Sequence, residues 1–516
     1  MATLILLSAA ESLLITKLAS EHVPILPLFI GLFIVQAAVV SFYNVHIYPS
    51  YLTPLKNLPI PDGAWPIIGH TLTVFERPPS TSFQRWMHEV PNDGLIRFRG
   101  LFNADRLLVT SPKVVGEMLV TKPYEFEKPE PTRNFLRYIL GNGLIVVEGE
   151  EHRFQRKNLS PMFGFRPIKN LYPVFWEKAI QMTDGIAREL PEIVEITHWA
   201  NRVTMDVIGL AAMGRDLHVL QKGDDELVRT YEEITEPTRE KLLYFAARVL
   251  GPAALVKRLP LHINRRLSII IPRLRTICLS MVQGKKSYPG KSDILTLLLQ
   301  SGNFSDNQLV DQLLTFLAAG AETTSSAFTW STYLLSNHPT TQTFLRNELR
   351  THLPEIQTDP SVLETLPLLN GICNETLRLY PTVPATVRKA RETTTLVGHI
   401  IPAGCELTIS PWAINRSPDL WGPNAEDFIP ERWIDKETGK LRGSGGAESN
   451  YAFVTFLHGP RSCLGKGFAL AELRALLAAM VLRFEFEGVR DGEVVPHGVI
   501  TLKPRDGLKL RVWEVE

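Results

Sequence analysis

The sequence predicts a mainly α-helical protein with a small β part, preceded by an N-terminal transmembrane helix. Three observations support this prediction. The stretch from Val23 to Val45 contains no acidic, basic or histidine residue. Most of the remaining chain has helical periodicity, and the longest such segment runs from Leu309 to Leu335. Signals for β-strands are confined to a few short segments.

The apolar stretch from Val23 to Val45 is long enough to cross a bilayer, because a helix of that length extends roughly 34 Å. A cleaved signal peptide would have a shorter apolar region, and a soluble core helix is rarely apolar on every face. Residues 1–20 are also apolar but carry Glu11 and Lys17, so they either lie on the membrane or insert as a second segment.

The chain therefore divides into three parts. Residues 1–50 are assigned to the membrane anchor, with the span at about 23–45. Residues 51–70 are rich in proline and are expected to form a stiff hinge. Residues 71–516 form one large folded domain, since no linker rich in Gly, Ser or charge divides them.

Composition excludes several classes of function. The chain has 55 basic and 54 acidic residues and a formal net charge of +1, so no global field would attract a nucleic acid. Its four cysteines, Cys278, Cys373, Cys405 and Cys463, lack the short paired spacings of a zinc site or a disulfide scaffold. The ordinary role of a lone cysteine is that of a small buried apolar residue, which suits the first three.

Local patterns place the main elements of the large domain. Leu95 to Arg99 and Arg106 to Thr110 flank a turn and alternate in polarity, which predicts a hairpin. Further strands are expected between Val383 and Ser410. The helix from Leu309 to Leu335 has Ser305 as a candidate N-cap.

Cys463 stands apart from the other cysteines because of its neighbours. It lies in a glycine-containing segment that runs from Phe456 to Gly467, just ahead of an apolar helical run. Glycines on both sides let the backbone pass close to a bulky group. Backbone amides and the dipole at the start of a helix are expected to favour a thiolate, the form of cysteine that binds metals.

This segment resembles the haem-binding signature of the cytochrome P450 family, Phe-x-x-Gly-x-Arg-x-Cys-x-Gly. The matching positions are Phe456, Gly459, Arg461, Cys463 and Gly465. The resemblance implies a cytochrome P450 fold, in which haem b lies between a long oxygen-activating helix and the cysteine loop. It also implies that Cys463 is the axial ligand of the haem iron, and that Arg461 pairs with a haem propionate.

Two segments upstream of the cysteine resemble the family's Glu-Arg-Arg network. Glu375 and Arg378 lie at i and i+3 of a helical segment, where their side chains can bond. Arg432 lies in a downstream Phe-x-Pro-Glu-Arg-Trp motif. The resemblance assigns all three to folding and haem retention rather than to chemistry.

The long predicted helix carries acid and hydroxyl residues at its centre, between Ala319 and Thr324. Taken alone, they are explained equally well by a wet helix face or by hydroxyls bonded to the preceding turn. In the resemblance this segment belongs to the oxygen-activating helix. There Gly320 lets the helix approach dioxygen, and Glu322 with Thr323 relays protons, with Thr324 as a secondary candidate.

Three further residues are candidates to hold the haem propionates. The segment from Gly149 to Lys157 resembles the start of the helix that carries Trp-x-x-x-Arg in the family. Its tryptophan position is His152, whose ring N–H can still donate, and its arginine position is Arg156. Arg388 is the third candidate by position, with Lys389 and Arg391 as alternatives.

Together these matches imply a monooxygenase that inserts one atom of O2 into a lipophilic small molecule, by hydroxylation or epoxidation. About fifty residues follow the cysteine motif, fewer than a flavin domain needs. Electrons are therefore expected from a separate NADPH-cytochrome P450 reductase, with cytochrome b5 as a further candidate donor. Arg153, Lys157 and Lys466 either form its docking patch or are ordinary surface charges.

The resemblance also implies a location and leaves two alternative functions open. The protein is expected to be a monomer, held in the endoplasmic reticulum membrane by a single N-terminal pass, with its catalytic domain in the cytosol. One alternative is a haem-thiolate isomerase or dehydratase that needs no reductase. Such an enzyme would not need a proton relay, so the presence of Glu322 and Thr323 argues against it. The other is a non-catalytic haem gas sensor.

Six apolar residues either line a substrate pocket or belong to the core: Phe126, Phe135, Leu136, Ile139, Val383 and Val387.

Overall fold

A computed structural model describes residues 2–18, 24–191, 193–221, 223, 225–235, 238–250, 256, 258–259, 261–288, 293–489, 494–498 and 500–515. Helices make up most of the described chain, as predicted. They are α1 Ala2–Leu18, α2 Ile25–Phe42, α3 Thr71–Val74, α4 Thr81–Glu89, α5 Pro112–Gly116, α6 Glu130–Leu140, α7 Gly149–Leu159, α8 Phe165–Ala187, α9 Ile196–Met213, α10 Glu226–Thr235, α11 Arg239–Leu250, α12 His262–Ser287, α13 Ile294–Ser301, α14 Asp306–Ser336, α15 Pro339–Thr351, α16 Leu353–Thr358, α17 Pro367–Leu379, α18 Pro411–Ile414, α19 Pro418–Trp421 and α20 Lys466–Arg483.

The strands are short and form small sheets. They are β1 Leu95–Arg99, β2 Asp105–Val109, β3 Phe126–Glu127, β4 Ile193–Glu195, β5 Thr386–Ala390, β6 Thr394–Leu396, β7 His399–Ile401, β8 Glu406–Ile409, β9 Phe484–Gly488, β10 Pro496–His497, β11 Lys503–Pro504 and β12 Lys509–Glu514. The largest sheet has the order β1-β2-β8-β5-β3, and only its β2–β8 pair is parallel. The predicted β1–β2 hairpin and the strands between Val383 and Ser410 are confirmed.

The N-terminal apolar helix agrees with the predicted span. α2 continues as a wider helical segment over Tyr43–Leu52. Among the described residues, this combined helix, Ile25–Leu52, is the one long and apolar enough to cross a membrane, with a mean hydropathy of 2.4 and no buried residue in its most apolar part. The helix is therefore a candidate membrane anchor.

The central element of the large domain is α14, which packs against α9, α12 and α20 in the main hydrophobic core. Its start is fixed by a capping box. The Ser305 hydroxyl accepts from the Gln308 amide, and the Gln308 side chain accepts from the Ser305 amide. The predicted N-cap is confirmed, and α20, which follows Cys463, lies directly against α14.

Candidate functional site

Cys463 lies in a short loop between the helical turn Gly459–Arg461 and the first residue of α20. Its backbone N–H donates to the Phe456 carbonyl at 2.8 Å, which turns the chain back on itself. Its side chain is exposed, whereas Cys278, Cys373 and Cys405 are all buried. Of the four thiols, the one in the motif is therefore the one that a ligand can reach.

The loop does not by itself favour a thiolate. Although a ligand can reach the Cys463 thiol, the many protein atoms around it reduce its hydration and raise its pKa, while the Gly465 amide, Arg156 and Lys466 lower the pKa by smaller amounts. The expected help from the helix start is thus present, but it does not outweigh burial. An ionised Cys463 needs a further positive charge, which a bound haem iron would supply.

The two glycines of the motif have different environments. Gly459 has φ +68°, and a Cβ there would lie 2.1 Å from the Leu119 carbonyl oxygen, so only glycine fits. A Cβ on Gly465 would meet no protein atom within 4 Å. Gly465 therefore borders open space beside Cys463, as expected if a bulky group approaches the backbone there. Phe456 packs partly buried against the main core.

Arg156 lies against the cysteine loop. Its guanidinium donates to the Ser462 carbonyl at 2.6 Å and to the Ser462 hydroxyl at 3.2 Å. Because Ser462 is the neighbour of Cys463, these bonds fix the loop from the side of α7. The proposed contact of Arg156 with a propionate remains a prediction.

A cluster of cationic side chains lies beside the loop and shares one carboxylate, Glu148. Arg461 pairs with Glu148 and donates from Nε to the Pro123 carbonyl at 2.8 Å. The Lys128 ammonium lies 3.7 Å from Glu148 Oε1. Arg388 is buried and donates to Thr386 Oγ1 at 2.9 Å.

The charge of this cluster suits the binding of an anionic group. Burial, and then the neighbouring Arg388, lower the pKa of Lys128 to about 7. Burial, and then Arg461, lower the pKa of Arg388 to about 10. The buried Arg388 Nε has no hydrogen-bond partner among the described residues. Three basic groups facing one carboxylate match the two propionates of haem, so these residues fit the cofactor.

His152 occupies the position that is tryptophan in the family motif. It is buried, and its Nδ1 lies 3.2 Å from the Tyr124 hydroxyl. Burial, with Arg461 and Lys128 nearby, lowers its pKa to about 4. The ring is therefore neutral at physiological pH, where it can donate one hydrogen bond but carries no charge.

The Glu375 side chain joins α17 to the segment that leads toward the cysteine. Arg378 donates to both carboxylate oxygens at 2.8 Å, and Arg432 Nε donates at 3.2 Å. The Trp433 indole donates to the same group at 2.9 Å. Glu375 and Arg378 have no exposed side-chain surface. The structure thus brings the three predicted residues together and adds Trp433 to them.

Asn415 connects this network to the chain just before the cysteine loop. Its amide donates to the Arg378 carbonyl at 3.2 Å and to Thr455 Oγ1 at 2.8 Å, and its side-chain oxygen accepts from the Val454 amide. The Thr455 hydroxyl donates to the Leu377 carbonyl at 2.7 Å. These bonds transmit the position of α17 to the start of the motif.

The centre of α14 carries the predicted relay residues. The Thr323 hydroxyl donates to the Ala319 carbonyl one turn earlier, at 2.7 Å. Glu322 forms an ion pair with Lys503 at 3.1 Å, and both side chains are partly exposed. A Cβ on Gly320 would lie 2.6 Å from Ile208 Cδ1 of α9, so a larger residue there would push the Ile208 side chain aside.

The C-terminal segment is fixed to α14 at this point. The Leu502 carbonyl accepts from the Trp330 indole at 2.9 Å and from the Ser326 hydroxyl. These bonds place Lys503, the next residue, beside Glu322. On the opposite side, buried Glu472 of α20 lies near Thr324, and burial raises its pKa well above the ordinary range.

Comparison with known proteins decides the family. The model of the cytochrome P450 family matches residues 59–510, most of the chain. The chain belongs to the cytochrome P450 family. It is 42% identical to the cytochrome P450 monooxygenase sphH of Aspergillus fumigatus, over 92% of this chain and 91% of that protein. It is 37% identical to the cytochrome P450 monooxygenase ptmK of Penicillium ochrochloron, over 93% and 97% of the two chains.

A third relative, the cytochrome P450 monooxygenase FUM15 of Gibberella moniliformis, is 34% identical over 91% of this P450 and 90% of its own length. The predicted fold class and the predicted class of enzyme, a P450 monooxygenase, are confirmed. Family membership implies haem as the cofactor of this oxidoreductase, and the cationic cluster and Cys463 fit it.

Several residues of the P450 site were missed by sequence reasoning. They are Lys128, Glu148, Asn415, Trp433, Glu472 and Lys503. None lies in the same short motif as the residue that it contacts. Lys503, for example, pairs with Glu322 although the two residues are far apart in the sequence. Trp433 is the last residue of the motif that identified Arg432, and its place in that motif was the one available signal.

Proposed function

We propose that this P450 inserts one oxygen atom of O2 into a lipophilic small molecule, using electrons from a separate NADPH-dependent flavoprotein reductase. The proposal depends first on Cys463, the accessible thiol in a loop held by Arg156 and the Glu375 network. When bound, haem with a thiolate ligand supplies the oxygen chemistry. Cys463 Sγ would bind the iron, and Lys128, Arg388, Arg461 and His152 would hold the propionates.

Proton delivery falls to Glu322 and Thr323 in this proposal. Glu322 is 38% exposed, so its carboxylate can take up protons from water, and Lys503 holds it at the centre of α14. Thr323 can pass a proton on when its hydroxyl turns away from the Ala319 carbonyl, which it contacts in the structure. Gly320 has no side chain, and it would therefore let this part of the helix approach dioxygen closely.

The substrate is proposed to be a lipophilic metabolite of the kind made in secondary metabolism. An enzyme held at a membrane meets such compounds where they partition. A cleft of about 540 Å³ between α6, α7 and α14 does not fit them, because charged and amide side chains such as Arg133, Glu151 and Asp311 line it. Phe126 is fully buried in a cluster of apolar residues at the largest sheet, with Leu107 and Ile409, which favours its interpretation as core.

The partner and location follow from the same proposal. The reductase would dock near Cys463, where Lys466 lies at the start of α20 and Arg153 is 51% exposed but paired with Glu150. Lys157 lies on the same helix as Arg153. The α2 helix would hold the enzyme in the endoplasmic reticulum membrane as a monomer, with its catalytic domain in the cytosol.

The direct test measures NADPH-dependent oxygen consumption and product formation by the protein reconstituted with a P450 reductase and a panel of lipophilic compounds. Thr323→Ala should reduce the yield of product per NADPH by about tenfold or more, because a proton relay contributes at least that much. Thr329→Ala is the matched control, since Thr329 lies buried on the same helix and bonds to the Ser325 carbonyl.

Two outcomes would overturn the monooxygenase proposal. Turnover of an organic peroxide that needs no reductase and ignores Thr323→Ala would identify an isomerase or dehydratase. Ligand binding to the haem with no oxidation of any compound, by either protein, would identify a sensor.

A further inference from the structure

The two N-terminal helices pack with their polar side chains facing each other. Ser8 and Ser12 of α1 are buried, whereas the other residues from Thr3 to Leu18 are exposed or half-buried. Ser8 Oγ donates to Gln36 Oε1 of α2 at 2.9 Å, and Gln36 Nε2 donates to the Glu11 carboxylate. Ser8, Glu11 and Ser12 have the i, i+3, i+4 spacing of one helix face. That face lies against α2.

The outer surfaces of the pair are apolar. Their exposed large side chains include Ile5, Leu6, Leu7, Leu13, Leu14, Ile15 and Leu18 on α1, and Ile25, Leu26, Ile30, Ile34, Val35, Val39, Val40 and Phe42 on α2. A helix pair in water has the opposite arrangement, with apolar residues inside and polar residues outside. Helices in a bilayer associate through small and polar side chains and expose apolar ones to lipid.

The contacts also fix the direction of the two helices. Gln36 lies about three turns after the start of α2, and Ser8 lies about three turns before the end of α1. The contacting residues are therefore at the same depth from the connection, as in an antiparallel pair. Lys17 lies in the last turn of α1, beside that connection, where a lysine can reach lipid headgroups. The 17 residues of α1 are at the lower limit for a span.

We propose that α1 and α2 form a two-helix hairpin in the hydrocarbon of a lipid bilayer, joined by the Ser8, Glu11 and Gln36 side chains. The N-terminus and the catalytic domain then lie on the same side of the membrane. This inference depends on the membrane anchor proposed above, and it replaces the expectation of a single pass. A single pass would place the N-terminus on the opposite side from the domain.

The topology is tested with N-glycosylation acceptors in microsomes from yeast that express the full-length protein. One variant carries an acceptor on a flexible spacer before Met1, and another carries the same insert between Leu18 and Pro24. The hairpin predicts glycosylation of the second insert and not of the first. A single pass through α2 would place both inserts on the lumenal side, so glycosylation of the first insert, with or without the second, would overturn the hairpin while leaving a single-pass anchor intact.

Glycosylation of neither insert would overturn both the hairpin and the anchor, since α2 would not then cross the membrane. The reduced carbon monoxide spectrum of the same microsomes reports the haem site separately, so loss of the proposed enzyme function is distinguished from a wrong topology. Both tagged proteins should show the same spectrum.

The polar contact is tested by Gln36→Leu, with Ser41→Leu as the matched control near the end of α2. Gln36→Leu removes the partner of Ser8 and Glu11 and leaves Glu11 facing hydrocarbon. We expect at least a twofold increase in the fraction of chains with a glycosylated N-terminal insert, relative to Ser41→Leu. Equal fractions in the two variants would overturn the role assigned to the Gln36 contacts.

Discussion

The site carries an excess of positive charge, because the single carboxylate of Glu148 faces three cationic side chains, those of Lys128, Arg388 and Arg461. We expect this excess to make the stability of the protein depend on haem and on pH. Each of the three groups loses hydration in the folded protein, and the propionates of haem would compensate that loss. Without them, part of the cost is avoided by release of the Lys128 proton, because burial and Arg388 lower the pKa of Lys128 to about 7.

The haem-free protein should therefore become more stable as the pH rises from about 7 toward 10. In that range unfolded Lys128, with its ordinary pKa of 10.5, binds a proton that the folded protein has released, so the free energy of unfolding increases with pH. Urea unfolding of the haem-free catalytic domain at pH 7 and pH 9 measures the effect. Lys128→Met should flatten this dependence, and identical pH profiles of the two proteins would contradict the assignment.

Gly459 and Gly465 give a paired prediction at the same scale. Gly459→Ala should prevent assembly of the cysteine loop, because the added Cβ would overlap the Leu119 carbonyl and φ is +68°. Gly465→Ala should leave the haem-free fold intact, because nothing lies within 4 Å of that Cβ, but it should weaken haem binding. Haem titration and circular dichroism of both variants check this, and unimpaired haem binding by Gly465→Ala would contradict it.

The elements are joined near the site by side chains that carry buried charge. Glu375 of α17 accepts from Arg378, Arg432 and Trp433, so α17 and the Pro430–Trp433 turn move together. Arg378 donates in turn to the carbonyls of Asn415 and Asp427. The network therefore holds the start of the cysteine segment through both side chains and backbone.

Glu375→Gln should destabilise the protein by about 3 to 5 kcal/mol, because it leaves the Arg378 and Arg432 charges uncompensated. The matched control is Glu487→Gln, which breaks the exposed Arg511–Glu487 pair and should cost less than about 1 kcal/mol. Haem content after purification and the urea midpoint measure both. Equal effects of the two substitutions would show that the Glu375 network does not hold the site.

At this scale the sequence predicted more of the local elements than of their arrangement. The β1–β2 hairpin, α14 and its Ser305 cap depend on neighbouring residues, and all were predicted. The parallel pairing of β2 with β8 depends on segments about 300 residues apart, which no local pattern specifies. For the same reason Lys503 and Asn415 were not predicted, whereas Cys463, Arg461 and Glu375 were found because each lies in a short motif.

At the scale of the whole molecule, side chains of the P450 domain bind the end of the apolar N-terminal helical segment, here called the helix exit. Asn103 donates to the Val45 carbonyl at 2.9 Å, and Arg97 donates to the Pro49 carbonyl while it pairs with Asp105. The end of this helical segment is thus packed on the β1–β2 hairpin. A rigid exit of this kind would fix the orientation of the catalytic domain relative to the membrane.

Two truncations test this arrangement. A protein that begins at Tyr43 should leave the membrane fraction and keep its stability and haem spectrum. A protein that begins at Pro54 should also leave the membrane but should be less stable by about 1 to 3 kcal/mol, because Asn103 and Arg97 lose their backbone acceptors. Thermal unfolding of the two proteins compares them. Equal midpoints would show that the exit contacts contribute nothing.

The central claim is that the Cys463 sulfur binds the haem iron, and the absorption spectrum of the reduced protein with carbon monoxide tests it most directly. A thiolate opposite carbon monoxide moves the main haem band far to the red. We predict this shifted band for the unsubstituted protein and for Cys373→Ser, whose thiol is buried in the core, and its loss in Cys463→Ser. A normal shifted band in Cys463→Ser protein would contradict the account.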